Sequence, residues 1–303
     1  MLRKLIFYPL AIILELLMVF LLPFPVLIFN GLAKIMPTES LRKTCLDISE
    51  ASARFWTTGN HFILVHLLGV KIHIKGLGNI MPGKNYFVIA NHQSWIDILM
   101  LEEALLGHSG FSRYFIKKNL LHVPLAGWTC RALNFPYMYR FTKEHLAKHP
   151  EDKGKDVEVT KRACQQLRGI YFKLNNFPEG TRFTAEKHKR QQSPFQNLLR
   201  PKSGGISYAL QILHDQLDSI IDMTIFYHQP APNIVRLFLG QVKEVTIVLH
   251  KLPISSDLIG DYQNNPNFRA YFHQYMNTLW TRKDQLLTQL KRQNRLSMNI
   301  GNK

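Results

Sequence analysis

Two short stretches of this sequence hold residues whose types and spacing could do chemistry. In Asn91-His-Gln-Ser-Trp-Ile-Asp97 a histidine is followed five residues later by an aspartate. An imidazole takes up a proton near neutral pH, and a carboxylate bonded to one ring nitrogen leaves the other as the base. His92 would be that base and Asp97 its orienter, although with 13 histidines in the chain one such spacing is weak evidence alone. The second stretch is Phe177-Pro-Glu-Gly-Thr-Arg182. A rigid proline, a Gly180 that admits close backbone approach, Thr181 and then Arg182 suit a phosphate-holding turn. Glu179 would be a poor phosphate ligand, so it either fixes the turn or holds a substrate hydroxyl.

Residues so far apart in sequence can cooperate only if strands deliver them to one edge of a sheet. Tyr86-Phe-Val-Ile-Ala90, just before His92, is a short apolar run expected of a strand buried on both faces. Ile170–Leu174 precedes the second stretch, and ligands of α/β sheets bind beyond the carboxyl ends of such strands. Val70–Lys75 alternates at period two, and further strands are expected at Tyr114–Ile116, Leu133–Met138, Ile220–Tyr227, Ile234–Leu239 and Val242–Leu249. Helices are expected over residues 40–69, Ile96–Leu106, Val157–Leu167, Gly205–His214 and Phe268–Gln293, the last with apolar residues at i, i+3, i+4 spacing and docked over the core. Thr142–Asp156 is polar and reads as an exposed insertion. Strands alternating with helices predict the α/β class, a single domain on a mixed sheet flanked by helices.

The 303 residues carry 38 Lys+Arg against 21 Asp+Glu, a net charge of +17, and are 46% hydrophobic, which excludes a disordered tail. Cys45, Cys130 and Cys164 are few, odd in number and widely spaced, which excludes a disulfide scaffold and suits a reducing compartment. Basicity leaves nucleic acid or an anionic membrane and phosphorylated substrates as partner classes. The N-terminus decides between them. From Leu5 to Phe29 the sole charged residue is Glu15, long enough for a membrane-anchor helix, with Pro23 and Pro25 expected to break or bend it. The expected organisation is an anchor over 1–36, a catalytic α/β domain over 37–255, and a C-terminal amphipathic helix and tail over 256–303.

The two motifs, in this order, resemble the glycerolipid acyltransferase superfamily, whose best-known members acylate lysophosphatidic acid. The resemblance covers about residues 70 to 250. A further block, Phe135-Pro-Tyr-Met-Tyr-Arg140, places Arg140 where the family has a substrate-binding arginine, with Tyr139 in place of the usual acidic residue. Asp222-Met-Thr-Ile225 stands where the family has a proline-bearing strand. Together with the extended Phe177–Thr184 and Leu199–Gly205 segments, it is similar to the lysocardiolipin and lysophosphatidylinositol acyltransferase branch and its bacterial relatives.

What the resemblance implies is attack of a lysophospholipid hydroxyl on an acyl thioester, with His92 taking the proton and no covalent acyl-enzyme, metal or other cofactor. The donor substrate would be acyl-CoA or acyl carrier protein. Arg182, Arg140 and Lys202, and more weakly Lys117, would hold the acceptor phosphate. From Arg140 to Lys202 there are 15 Lys/Arg and 7 Asp/Glu, a local +8 that favours anionic lipids and polyanionic carriers. The implied setting is a bacterial inner membrane with the domain on the cytoplasmic side. Glycerol 3-phosphate or a lipid A precursor is the alternative acceptor. A non-catalytic basic binding protein is the rival reading; no motif for specific nucleic-acid recognition is present, and the oligomeric state is not legible.

Overall fold

The computed structural model describes residues 3–108, 110–138, 148–149, 155–229 and 232–301. The chain opens with an apolar helical segment, α1 (Tyr8–Leu21) and α2 (Pro23–Ile35), against which α3 (Glu39–Phe62) packs. Pro23 and Pro25 interrupt the ladder but open no loop: Leu22 keeps helical angles (φ −67, ψ −25), and Pro23 takes the first-turn position where its missing N–H costs nothing. Asn30 in α2 donates to Val26 O and to Ser49 Oγ in α3, so the helix pair is joined by buried polar contacts.

Strands follow as β1 (Lys71–Lys75), β2 (Tyr86–Ala90), β3 (Phe111–Tyr114), β4 (Ile116–Lys117), β5 (Tyr137–Met138), β6 (Phe172–Asn176), β7 (Ser219–Tyr227) and β8 (Glu244–Leu252). Six of them form one sheet in the order β1-β8-β7-β2-β6-β3, and β4 pairs with β5 in a separate ribbon. All neighbours are parallel except β7 and β8, so the sheet is mixed.

The apolar run of β2 is explained by burial on both faces. Tyr86, Val88 and Ala90 enter a core with Ala11 of α1 and the helix Ile96–Ala104 (α4). Phe87 and Ile89 enter a second core on the opposite face, formed with helices Gly204–Leu213 and Pro266–Gly301. Each fully buried side chain of this size contributes about 1.5–3 kcal/mol relative to exposure. The C-terminal helix docks as expected, through Phe272, Met276, Leu279 and Trp280. Its Lys283 is also buried: Nζ lies 2.6 Å from Asp222 Oδ1, off the angle for a hydrogen bond, and donates to Met223 O and Thr224 Oγ1 of β7. Asp222, the departure from the family pattern, thus has its counter-charge 61 residues downstream.

Two expected strands are corrected. Ile234–Leu239 is not a strand but a short helix, Ile234–Phe238, begun by the Asn233 side chain accepting from Arg236 N (2.9 Å) and followed by Gly240 at φ 64. The helix lies in the connection between β7 and β8, which pair directly with each other and leave no place for a strand between them. Leu133–Met138 is a strand only at Tyr137–Met138; Leu133 caps the helix Ala126–Ala132, and Asn134 turns the chain at φ 57. The expected strands at Tyr114–Ile116 and Ile170–Leu174 are shifted to Phe111–Tyr114 and Phe172–Asn176. Most of the Thr142–Asp156 insertion lies outside the described residues.

Candidate active site

β2 pairs with β7 as far as Ala90 opposite Met223, while β7 runs on to Tyr227. Asn91 fills the difference. Its Nδ2 donates to Ile225 O (3.0 Å) and its Oδ1 accepts from Ile225 N (2.8 Å), so a side-chain amide continues the ladder. The backbone is then free to turn, and the turn closes on Asp97 in the first turn of α4. Asp97 Oδ2 accepts from His92 Nδ1 (2.8 Å), Gln93 N (2.5 Å) and Ser94 N (2.8 Å), and Oδ1 accepts from Tyr227 OH (2.7 Å). Asp97 is fully buried, yet four donors and the helix N-terminus stabilise its charge. Burial, and then the Asp97 charge, push the Tyr227 phenol well above its ordinary value, which keeps it a donor.

The second loop leaves the neighbouring strand, where Ile89 pairs with Asn176. Gly180 N donates to Phe177 O (2.9 Å), a β-turn with proline second and glycine fourth, the latter at φ 69. This turn grips His92 three ways. Glu179 Oε1 accepts from His92 N (2.9 Å), Phe183 N donates to His92 O (2.7 Å), and the Phe177 ring stacks on the imidazole at 4.1 Å. The other Glu179 oxygen accepts from Leu199 N (2.9 Å). Burial raises the Glu179 carboxyl to about 8, against the opposing pull of the His92 and Leu199 N–H groups. Of the two roles left open for Glu179, its contacts are those of a turn-fixing residue.

Cations gather where the loops meet. The Arg182 guanidinium lies 4.9 Å over the Trp95 ring, and Lys187 Nζ donates to Thr181 Oγ1 (2.8 Å) and Arg182 O (3.0 Å). Lys202 N donates to Pro178 O (2.8 Å), and the Lys202 side chain passes over Gly180, where an added Cβ would meet its Nζ at 3.4 Å. Beside them opens a cleft of about 1070 Å³, bounded by Gln93, Trp95, Arg182, Lys187, Tyr227 and Arg236, with no carboxylate among its described lining residues. An oriented imidazole beside a cationic cleft can take a proton from a hydroxyl on a substrate held through its phosphate.

The family model described as Acyltransferase matches residues 71–228, more than half of the chain and both loops. The chain belongs to the Acyltransferase family. Among curated relatives, it is 28% identical over 218 residues to the 1-acyl-sn-glycerol-3-phosphate acyltransferase gamma of Mus musculus, covering 67% of this chain and 53% of that protein. It is 26% identical over 225 residues to the lysocardiolipin acyltransferase 1 of Danio rerio, covering 69% and 55%. The chain thus spans about half the length of the curated relatives it matches. Among solved structures, that of the 1-acyl-sn-glycerophosphate (LPA) acyltransferase PlsC from Thermotoga maritima aligns at TM-score 0.47 and 17% identity, over 91% of this chain and 97% of that one.

In this acyltransferase domain the structure brings together His92, Asp97, Glu179, Gly180, Thr181, Arg182 and Lys202. Lys117 is exposed on the β4–β5 ribbon, opposite Met138, and makes no contact with that cluster; Arg140 lies outside the described residues. Sequence reasoning missed Asn91, Lys187 and Tyr227. Asn91 was legible as a polar residue ending a buried strand. Lys187 sits in the basic run Lys187–Arg190, whose charge alone does not set it apart from the other basic stretches of the chain. Tyr227 carried no local signal, being 130 residues from Asp97 in sequence.

Proposed function

We propose that the protein transfers a fatty acyl chain from an acyl thioester to the free hydroxyl of an anionic lysophospholipid, of which lysophosphatidic acid is the simplest. The observation that carries this reading is the oriented His92–Asp97 pair, between whose members Gln93, Ser94 and Trp95 line a cationic cleft. With Nδ1 engaged by Asp97, Nε2 is the basic nitrogen that takes the hydroxyl proton as oxygen attacks the thioester carbon. Asp97 stabilises the imidazolium so formed, and the proton then leaves with the thiol. Gly180 N and Phe183 N are engaged inside the turn, so an oxyanion device built there falls to the N–H groups of Thr181 and Arg182. Arg182, Lys187 and Lys202 are the phosphate-holding groups, with Arg140 and Lys117 as further candidates. No cofactor is required beyond the donor substrate.

The setting is a membrane surface. Leu5–Ile35 is long and apolar enough to cross a membrane, with 11% of its most apolar window buried in the protein. Its protein-facing residues Ala11, Val26 and Ala33 hold it against the domain, which keeps the site at the lipid boundary. Since acyl thioesters are made in the cytoplasm, the domain would face that side, in a bacterium from the inner membrane; the C-terminus should then be protected from protease added to intact spheroplasts, and its digestion there would refute this.

The test is labelled acyl transfer from acyl-CoA, and separately from acyl carrier protein, to a panel of lysophospholipids and glycerol 3-phosphate in membranes. Wild type should acylate an anionic lysolipid, and His92→Ala should lower kcat by about 10³-fold or more. Equal rates would remove His92 as the base, and no transfer to any acceptor would remove the enzymatic reading.

A further inference from the structure

The cleft lined by Gln93, Trp95 and Arg182 does not end at Lys187. Through Asn197 and Lys291 it continues into a second depression of about 620 Å³, walled by Thr288, Arg292 and Arg295 of the C-terminal helix. Six cations line the combined trough: Arg182, Lys187, Arg236, Lys291, Arg292 and Arg295. No carboxylate is among the described lining residues, and neither Arg292 nor Arg295 is ion-paired there. From this, resting on the acyl-transfer reading above, we infer that the trough seats the phosphate-bearing carrier of the acyl donor, a coenzyme A thioester.

The trough is a built feature. Asp284 accepts from Gln196 N (2.8 Å), Asn197 N (2.7 Å) and Asn197 Nδ2 (3.0 Å), which commits the nearest acid to holding the floor. Lys291 Nζ donates to Asn197 Oδ1 (2.5 Å), joining floor to wall. Burial lowers the Lys291 ammonium; the Asp284 charge opposes that shift, and the Arg295 charge adds to it. Lys291 and Arg295 are four residues apart on one helix, about 6 Å along its axis, a spacing that suits adjacent phosphate groups.

The two ends of the trough differ in the way such a carrier requires. Its inner end is apolar, with Trp95, Phe226 and Leu287 beside Tyr227, whose hydroxyl bonds Asp97. A thin arm lying there would bring its thioester to the His92–Asp97 pair while its phosphates stay with Lys291, Arg292 and Arg295. The cationic end belongs to the helix packed on the sheet face opposite α1. A water-soluble donor would therefore arrive from the side away from the lipid-facing helices, and the lysolipid from the other. The recess of about 620 Å³ has room for the phosphates and sugar of a nucleotide, whereas a folded carrier protein is too large to enter it.

The experiment uses the full chain in vesicles and a double variant, Arg292→Glu with Arg295→Glu, assayed with acyl-CoA and with acyl-pantetheine, which lacks the phosphates. The variant should raise KM for acyl-CoA at least about tenfold while kcat, KM for lysolipid and the rate with acyl-pantetheine stay within about twofold. An unchanged KM for acyl-CoA, or an equal loss with acyl-pantetheine, overturns the assignment. A rise confined to lysolipid KM would overturn it in favour of lipid headgroups, and a loss confined to acyl carrier protein in favour of a protein partner. Calorimetric binding of free coenzyme A to both proteins separates this inference from the acyl-transfer reading. Tenfold weaker binding by the variant supports the trough even where wild type transfers nothing, and equal binding overturns it even where transfer is found.

Discussion

The loops after β2 and β6 leave adjacent strands at one edge of the sheet, and each brings a buried carboxylate to His92. They use it differently. Asp97 meets the imidazole ring and has four donors, among them a phenol from a third strand. Glu179 meets the backbone of His92 and ties it to Leu199, with two donors and a carboxyl raised to about 8 by burial. The difference teaches that a carboxylate count does not assign roles. A carboxylate bonded to an imidazole ring is placed to stabilise an imidazolium, whereas a buried carboxyl bonded to backbone N–H groups with its pKa raised favours its neutral form and ties loops together.

Three substitutions would break or sharpen that contrast. Asp97→Asn keeps the shape but places an amide donor among four donors, so kcat should fall by about 10³- to 10⁴-fold. A fall below tenfold in steady-state assays would show that the ring contact is structural. Glu179→Gln should act on stability and its pH dependence. Folded Glu179 keeps its proton to about pH 8 against an ordinary value of 4.5, so across that window the folded state binds more protons than the unfolded chain. Stability therefore falls as pH rises through the window, by at most about 1.4 kcal/mol per pH unit. Unfolding curves at pH 5 to 8 should show that slope in wild type and a flatter one in the variant; parallel slopes would mean that Glu179 is ionised in the folded state. Tyr227→Phe removes one of the four donors to Asp97, and kcat should drop about tenfold with KM unchanged. Loss of folding instead, read by circular dichroism, would place Tyr227 with Glu179 as a strut.

Much of this architecture was legible. The Tyr86–Ala90 strand, the helix after it, the docked C-terminal helix and the apolar N-terminal segment follow from periodicity and length, which are local properties. The two terminal helices show how far this reaches: residues 268–280 alternate faces and are buried on one, whereas Leu5–Ile35 is apolar all round and stays largely exposed. Ile234–Leu239 misled because a short apolar run carries no period of its own. Its helical form depends on Asn233 as a cap and on its place in the connection between β7 and β8, which pair directly with each other.

The sequence by itself singled out the candidate site residues, because His92, Asp97, Glu179 and Arg182 lie in two short motifs whose spacing is fixed by covalent distance. Tertiary structure alone decided their roles. Parallel pairing of β2 with β6 and β7 set the motifs side by side and brought Tyr227 to Asp97, Leu199 to Glu179 and Lys283 to Asp222. Charge state, strut or base, and the cationic trough all depend on burial and on partners many residues away, and burial is a property of the packed chain.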